Sequence, residues 1–150
     1  FSSLEDLDVY LPDFEFAKKR GLKLLCANPD IIVDRGSVRE WCAGALAKMY
    51  TDLGGESLYF GKPFKPIYDL ARRRLEASGV QIKSNRILAI GDGITTDILG
   101  AEQEGIDSLF ITGGLAALET GTKEQPDQDL LKHYLDQQKL SPAYSIGFLR

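Results

Sequence analysis

Apolar runs and amphipathic stretches alternate along most of this chain. The run RILAI at residues 86–90 has the length and composition of a buried strand. Between such runs, apolar residues recur every three or four positions, as in helices that pack one face on a core. The pattern predicts strands at 22–27, 57–60, 86–90, 107–111 and 143–148, and helices at 3–20, 38–53, 66–78, 95–104 and 126–138.

Strands separated by helices of this length predict βαβ units, and therefore an α/β fold with a parallel, Rossmann-like sheet flanked by helices. Gly54-Gly55 divides a small α/β part, residues 1–53, from a more regular part, residues 54–150. Within the first part, Asn28-Pro29-Asp30 predicts a turn and Asp34-Arg35-Gly36-Ser37 a loop. The predicted helix that follows places Trp41 on its apolar face.

Composition excludes several classes of protein. The 150 residues carry a net charge of −4 and no long basic block, which argues against binding nucleic acid through its phosphates. No apolar run reaches the length of a membrane span, and no secretory leader opens the chain. Cys26 and Cys42 are the only cysteines, and we expect two free thiols in a reducing, cytoplasmic setting. Because the first residue is Phe1, we expect a preceding segment.

Three glycine-containing loops follow predicted strands. They are Gly61-Lys62-Pro63, Gly91-Asp92-Gly93 and Thr112-Gly113-Gly114. Ligands of an open parallel sheet bind beyond the carboxyl ends of its strands, so we expect the three loops to leave one sheet and meet there. Lys62 would bring a positive charge and Asp92 a hard oxygen ligand suited to Mg²⁺. Asp97 follows in the first turn of a helix, and the set is typical of a site for phosphate and metal.

Each motif alone has a simpler explanation. Gly-Asp-Gly is common turn chemistry, Thr95 or Thr96 could be the N-cap of the next helix, and Asp97 would then complement the helix dipole. A lysine in a loop, such as Lys62, is usually just solvated. The order of the two motifs, each after a strand and about thirty residues apart, favours the functional interpretation.

At these residues the chain resembles the haloacid dehalogenase superfamily of phosphatases. It is most similar to the subgroup that has an α/β cap inserted into the core domain and that includes nitrophenyl and nucleotide phosphatases. Residues 61–63 resemble the third motif of that subgroup and residues 91–101 its fourth, although many members carry a larger polar residue at the position of Gly93. Residues 25–30 resemble the Asn-Pro-Asp segment of its cap, and residues 43–46 the start of the last cap helix.

The resemblance implies that residues 1–53 are the second half of a cap and residues 54–150 the second half of a core. It also implies a Mg²⁺-dependent phosphomonoesterase that forms an aspartyl-phosphate and acts on a small phosphorylated metabolite. In such an enzyme Asp92 binds the metal, while Lys62 and Asp97 serve catalysis. Lys62 also binds substrate, as would Asn28 and Trp41 from the cap, through which a homodimer could form.

The nucleophile motif of the superfamily, a hydrophobic strand followed by Asp-x-Asp, has no good match. Asp6-Leu7-Asp8 is the one Asp-x-Asp, but no apolar strand precedes it and it fits the polar face of a helix. We therefore expect the nucleophile in a missing N-terminal half of the same protein, and the 150 residues alone to be inactive. A half sheet would leave apolar surface uncovered.

Other functions stay open. The chain could be a non-catalytic module that binds phosphate or metal. A receiver-like phosphoacceptor domain would also combine aspartates, a lysine and Mg²⁺, but there the acidic pair comes early and the lysine late, whereas Lys62 precedes Asp92. A dinucleotide-binding domain would need a G-x-G-x-x-G motif between strand and helix, which is absent. His133, the sole histidine, is expected at the surface.

Overall fold

The computed structural model describes residues 7–36 and 38–149. The chain forms two compact units, Phe1–Ile67 and Tyr68–Arg150. The sequence pattern placed a boundary earlier, after Leu53. The assignment of the two parts to a cap and a core stays a prediction.

Within its described residues, the first unit contains two small sheets, a 3₁₀ turn, two complete helices and the start of a third. Helix α1 ends before Gly21, whose φ of 65° is a conformation that glycine adopts without strain. The 3–6 portion of the predicted first helix, with Asp6, lies outside the described residues, and Asp8 is exposed in a 3₁₀ turn. The elements are the 3₁₀ turn Leu7–Tyr10, α1 Leu11–Lys19, β1 Lys23–Cys26, β2 Ile32–Arg35, β3 Val38–Trp41, α2 Ala43–Asp52 and β4 Glu56–Tyr59, with α3 Lys65–Ala77 beginning in this unit.

Strands β1 and β4 form a parallel pair in which Cys26 lies opposite Tyr59. Helix α2 packs against both strands, and Tyr50 of this helix is 1% exposed. Only one face of the pair is covered, because Leu25 is 69% exposed whereas Cys26 is buried. The expectation that residues 22–27 form a buried strand is therefore confirmed for the strand but wrong for the burial of Leu25.

The pairing of β4 corrects one expectation about the loops. β4 hydrogen-bonds to β1 in a sheet of two strands, while β5 (Leu88–Gly91) lies in another sheet. The loop Gly61-Lys62-Pro63 thus leaves a different sheet from the loop Gly91-Asp92-Gly93. The expectation that all three glycine loops leave one sheet is wrong, because strand pairing depends on contacts between residues far apart in the chain.

Strands β2 and β3 form an antiparallel hairpin in which Ile32 lies opposite Trp41. The helix predicted at 38–53 is therefore wrong over its first residues, and α2 begins only at Ala43. The loop predicted at 34–37 is shorter than expected, since the backbone of residues 34 and 35 belongs to β2. Gly36, with a φ of 64°, makes the turn, and Ser37 lies outside the described residues.

The second unit is built on one parallel sheet in the order β5, β6 (Asp107–Ile111) and β7 (Tyr144–Ile146). Adjacent parallel strands require crossover connections, and helical segments provide them here. The predicted strands and helices of this part are confirmed apart from their boundaries, with the start of the helix at 95 altered as described below. The expectation that the strand at 86–90 is buried is wrong for Leu88 and Ile90, which are exposed. The elements after α3 are the 3₁₀ turn Ser84–Arg86, β5 Leu88–Gly91, a π-helical turn Ile94–Ile98, α4 Leu99–Gln103, β6 Asp107–Ile111, α5 Gln128–Gln138 and β7 Tyr144–Ile146.

The core of the second unit lies on one face of this sheet. Phe110 of β6 is fully buried, and its ring stacks 6.3 Å from that of Tyr134 on α5. Burial raises the pKa of the Tyr134 hydroxyl, and the nearby Glu119 charge adds to this effect. The buried residues of this core are Ile94, Ile98, Phe110, Ala116, Leu131 and Leu140.

The opposite face of the same sheet exposes apolar side chains. Leu88 and Ile90 of β5 are 44% and 49% exposed, and Tyr144 of β7 is 60% exposed. The register places Ile90 beside Leu109 and Leu109 beside Tyr144, so these residues share one face. We name Leu88, Ile90, Leu109 and Tyr144 the open face. It is the kind of uncovered apolar surface that we expect of a half sheet.

Candidate active site

The segment after β5 turns around one backbone carbonyl group, that of Gly93. The backbone N–H groups of Thr96, Asp97 and Ile98 all donate to the carbonyl of Gly93, at 3.3, 2.7 and 3.1 Å. This convergence gives Ile94–Ile98 its π-helical form. Residue 93, not Thr95 or Thr96, precedes the first helical turn, and it provides no side-chain cap. The prediction of a threonine N-cap is therefore wrong.

The Asp97 carboxylate closes this turn. Its Oδ2 atom accepts a hydrogen bond from the Gly93 N–H at 3.1 Å. A Cβ atom at Gly91 would lie 2.2 Å from Asp97 Cγ, so the carboxyl group rests directly on the last residue of β5. Only glycine fits at position 91 without displacing the acid. Asp97 thus lies in the first turn, as predicted, but as part of the loop itself.

Gly93 has a close neighbour of its own. A Cβ atom at this position would lie 2.2 Å from Thr96 Oγ1 and 3.1 Å from Asp97 Oδ2. In this chain the threonine side chain therefore occupies the space that a larger residue at position 93 would need. Thr96 itself is buried, with 8% of its surface exposed.

Asp92 is held by the loop that follows β6. Its Oδ2 atom accepts a hydrogen bond from the Leu115 N–H at 3.2 Å. A Cβ atom at Gly114 would lie 2.1 Å from the same oxygen. The sequence indicated that the loop at residues 112–114 borders the site, but it gave no sign that Leu115 donates to Asp92. The two glycines at 113 and 114 are the one sequence feature that indicates a close approach of the backbone at this loop.

Asp92 and Asp97 thus flank Gly93 at the carboxyl end of β5, each held by a backbone N–H group. Carboxylate oxygens are hard ligands, and Mg²⁺ uses one or two of them together with waters and substrate phosphate. The Asp92 carboxylate is therefore of the kind that fits a magnesium ion. Within residues 7–36 and 38–149, no group of three or more His, Cys, Asp or Glu side chains is arranged to hold a metal.

The first unit joins two of the other predicted segments. A Cβ atom at Gly61 would lie 2.2 Å from Pro29 Cδ and 2.5 Å from the Ala27 carbonyl oxygen. The Asn-Pro-Asp turn and the Gly-Lys-Pro loop are therefore in contact beyond the ends of β1 and β4. Lys62 is exposed on this loop, and the peptide bond that follows it is cis. The contact brings the predicted residues Asn28 and Lys62 to the same end of the pair of strands.

Asn28 organises its turn in two ways. Its Oδ1 atom accepts from the Asp30 N–H at 3.2 Å, as in an Asx turn, and its Nδ2 donates to Cys42 Sγ at 3.2 Å. Its carbonyl accepts from the Cys26 thiol at 3.3 Å. Burial raises the pKa of Cys26, although a backbone hydrogen bond with Asn28 partly opposes this. The turn prediction is confirmed, and both cysteines are free thiols.

Trp41 ends β3 and is half-buried, so its position on an apolar helix face is a wrong prediction. The structure places the candidate residues in two groups, Asn28, Trp41 and Lys62 in the first unit and Asp92 and Asp97 in the second. Their assigned roles stay predictions.

None of the helices within the described residues combines the length and apolarity needed to cross a lipid bilayer.

Comparison with protein families gives one match. The family model described as HAD-hydrolase-like matches residues 59–137, a segment that contains Lys62, Asp92 and Asp97. No curated protein sequence matches the chain.

Solved structures give further matches. A haloacid dehalogenase-like hydrolase from Brucella suis 1330 is 38% identical with a TM-score of 0.76, over 98% of this chain and 51% of that chain. A double mutant of the thermostable NPPase from Geobacillus stearothermophilus is 25% identical with a TM-score of 0.58, over 81% and 47%. The p-nitrophenyl phosphatase from Archaeoglobus fulgidus, 19% identical with a TM-score of 0.64 over 95% and 49%, shares the fold. The chain therefore spans about half the length of these proteins.

Proposed function

Because this chain belongs to the haloacid dehalogenase-like hydrolases, we propose that it carries part of the site of a Mg²⁺-dependent phosphatase for a small phosphate monoester. The observation that carries the proposal is the pair of carboxylates around Gly93. Asp92 and Asp97 are each fixed by a backbone N–H group at the end of β5. Ligands of parallel α/β sheets bind at this edge.

The metal would be held by Asp92, with Asp97 shaping the loop around it. A bound Mg²⁺ would neutralise charge on the phosphoryl oxygens. The Leu115 N–H group orients one carboxylate oxygen of Asp92, and the other oxygen would bind the metal. Asp97 keeps the Gly93 peptide in place, so that the Asp92 backbone does not rotate. These tasks are positioning and electrostatic stabilisation, on which phosphoryl transfer mainly depends.

Lys62 would supply a positive charge to the phosphoryl group and help to orient the nucleophile. Its ammonium group is a compact charge on a flexible stem, suited to a phosphate oxygen. Asn28 lies in the turn that contacts the loop of Lys62. Asn28 and Trp41 would face the organic part of the substrate. The resemblance also favours a homodimer formed through the cap, and the two free cysteines favour a cytoplasmic location. Both are part of the proposal.

The nucleophile of the aspartyl-phosphate step would come from outside these 150 residues. We assign that role to the missing N-terminal half of the same protein, which would also cover the open face. Two features support this assignment. The chain spans about half the length of its matches, and Leu88 and Ile90 of the open face are exposed.

The test compares the longer protein with the 150-residue chain, each verified by intact mass. With p-nitrophenyl phosphate and Mg²⁺, we expect turnover by the longer protein and none by the chain alone. Asp92→Asn and Lys62→Met in the longer protein should each lower turnover by on the order of a hundredfold or more. Glu119→Gln is the matched control and should leave turnover unchanged.

Three outcomes would contradict the proposal. Turnover by the 150-residue chain would show that the missing half is not needed. Stoichiometric phosphorylation of the longer protein by a small phosphodonor, without release of phosphate, would instead favour a receiver-like domain. Unchanged activity in Asp92→Asn would remove the central role of that carboxylate.

A further inference from the structure

Three threonine side chains form a continuous hydrogen-bonded chain in the loop between β6 and α5. Thr112 Oγ1 donates to the Ile146 carbonyl at 3.3 Å, and Thr122 Oγ1 donates to Thr112 Oγ1 at 2.8 Å. Thr120 Oγ1 lies 2.7 Å from both Thr122 Oγ1 and the Ala116 carbonyl oxygen. Thr112 and Thr120 are fully buried. We name these three residues the threonine chain.

The threonine chain is bonded to β7 at the Thr112 end and to the Ala116 carbonyl at the Thr120 end. At the opening of the loop, the backbone N–H groups of Thr112 and Gly113 donate to the carbonyls of Ile146 and Gly147, at 2.9 and 2.8 Å. At its close, the Thr120 hydroxyl adds a second donor to the Ala116 carbonyl, which already accepts from the Thr120 N–H at 3.0 Å. The single Thr120 hydroxyl proton is shared between two acceptors, the Ala116 carbonyl and Thr122 Oγ1, and buried hydroxyls bonded in such a network rigidify the segment that carries them.

Leu115, the residue before Ala116, holds the carboxylate of Asp92, to which the proposed function assigns the metal. Leu115 N–H donates to Asp92 Oδ2, and among the described residues it gives this carboxylate its one hydrogen bond. Gly114 allows the approach, because any side chain there would meet Asp92. The orientation of Asp92 therefore depends on where the turn at residues 114–116 stands, and the threonine chain fixes that turn.

We propose that the threonine chain is a positioning device for Asp92. It acts through the Ala116 carbonyl and the Leu115 N–H, and none of its hydroxyls touches the carboxylate. The inference rests on the proposed function, in which Asp92 holds the metal. It adds residues about which the motif containing Asp92 gives no information, since they come from the next βα connection.

The test uses Thr120→Val, which removes the hydroxyl and keeps the shape, and Thr120→Ser, which restores the hydroxyl. Amide hydrogen exchange at Leu115 is measured by NMR on the 150-residue chain. The Gly113 amide, bonded to β7, is the internal reference. We expect exchange at Leu115 to quicken on the order of five- to tenfold in the valine variant, with Gly113 little changed and serine close to the original.

Binding of Mn²⁺ alone is the second readout, followed as paramagnetic broadening of the amides around Asp92. The valine variant should weaken this binding about three- to tenfold, and serine should restore it. Thr122→Ala removes the half-buried middle member of the same chain, and it keeps the test decisive where Thr120→Val fails to fold. Equal exchange at Leu115 in all variants would overturn the inference.

The same data separate this inference from the proposed function. Absence of Mn²⁺ broadening in the unmodified chain and in the longer protein would remove the metal role of Asp92. The hydrogen exchange at Leu115 would then still decide whether the threonine chain positions the turn. Broadening that is identical in the original, valine and serine forms would keep the metal role and overturn the positioning.

Discussion

Gly91→Ala is the sharpest test of the packing beneath the carboxylate loop. The new Cβ atom would lie 2.2 Å from Asp97 Cγ and 2.3 Å from Asp97 Oδ2, far inside normal contact. The φ of Gly91 does not lie in the left-handed region, so alanine adds no backbone strain there. The whole cost therefore comes from the contact with Asp97.

The size of the effect follows from what Asp97 must give up. When its side chain moves, the 3.1 Å bond from the Gly93 N–H is lost. A hydrogen bond to a charged group contributes about 1.5–3 kcal/mol, and overpacking costs about 1–3 kcal/mol. Asp97 is only half-buried, which favours the lower part of each range. We expect the free energy of unfolding to fall by about 2.5–4 kcal/mol.

The measurement is urea denaturation of the 150-residue chain, followed by far-ultraviolet circular dichroism. Gly105→Ala is the matched control, because its Cβ would meet nothing within 4 Å but its φ of 63° is unfavourable for alanine. That variant should lose only about 1–2 kcal/mol. A loss in Gly91→Ala no larger than in Gly105→Ala would refute the idea that glycine at position 91 is required by Asp97.

Three further predictions concern other parts of the chain. Asp127 caps α5 by accepting from two backbone N–H groups at 3.0 Å, so Asp127→Ala should cost about 1 kcal/mol in urea denaturation while Asp127→Asn costs little. Burial raises the pKa of Cys26 above 9.0, so the folded chain keeps a proton that the unfolded chain loses. Stability should therefore fall as the pH rises above 9.0, and it should fall less steeply in Cys26→Ala. Cys42 should also react faster than Cys26 with a thiol reagent. Leu88→Lys with Ile90→Lys should change the stability of the chain by less than about 0.5 kcal/mol and reduce its self-association in light scattering, whereas the same change in the longer protein should prevent normal folding.

Much of the architecture is predictable because it is local. Strands β5 and β6 are short apolar runs bounded by glycine or turns, and α3 and α5 keep a helical period over three turns. The hairpin β2–β3 was missed although a signal was present. Only two residues, Gly36 and Ser37, separate the paired strands, and a glycine-serine pair between short β-rich runs is typical of a hairpin. Trp41 and Val38 also fit the period of the following helix, which concealed the boundary.

The candidate site was predictable only in part, for a different reason. Motif order indicated Lys62, Asp92 and Asp97, but no periodicity shows which strands pair. Strand β4, which precedes the loop of Lys62, pairs with β1 and not with the β5 sheet. This pairing depends on contacts between residues far apart in the chain. The bond from Leu115 to Asp92 is likewise between residues 23 positions apart and uses the backbone, so the side chain at 115 does not encode it.

This use of the backbone determines which substitutions should harm the site. Both carboxylates are held by N–H groups, of Gly93 and Leu115, that no side-chain substitution can remove directly. What permits these bonds is the absence of a Cβ atom at Gly91 and Gly114, where one would lie within 2.3 Å of a carboxyl atom. The tolerance of the site to mutation is therefore limited by its glycines as much as by its acids. A scan that replaces only charged residues would miss the positions that fix where those charges point.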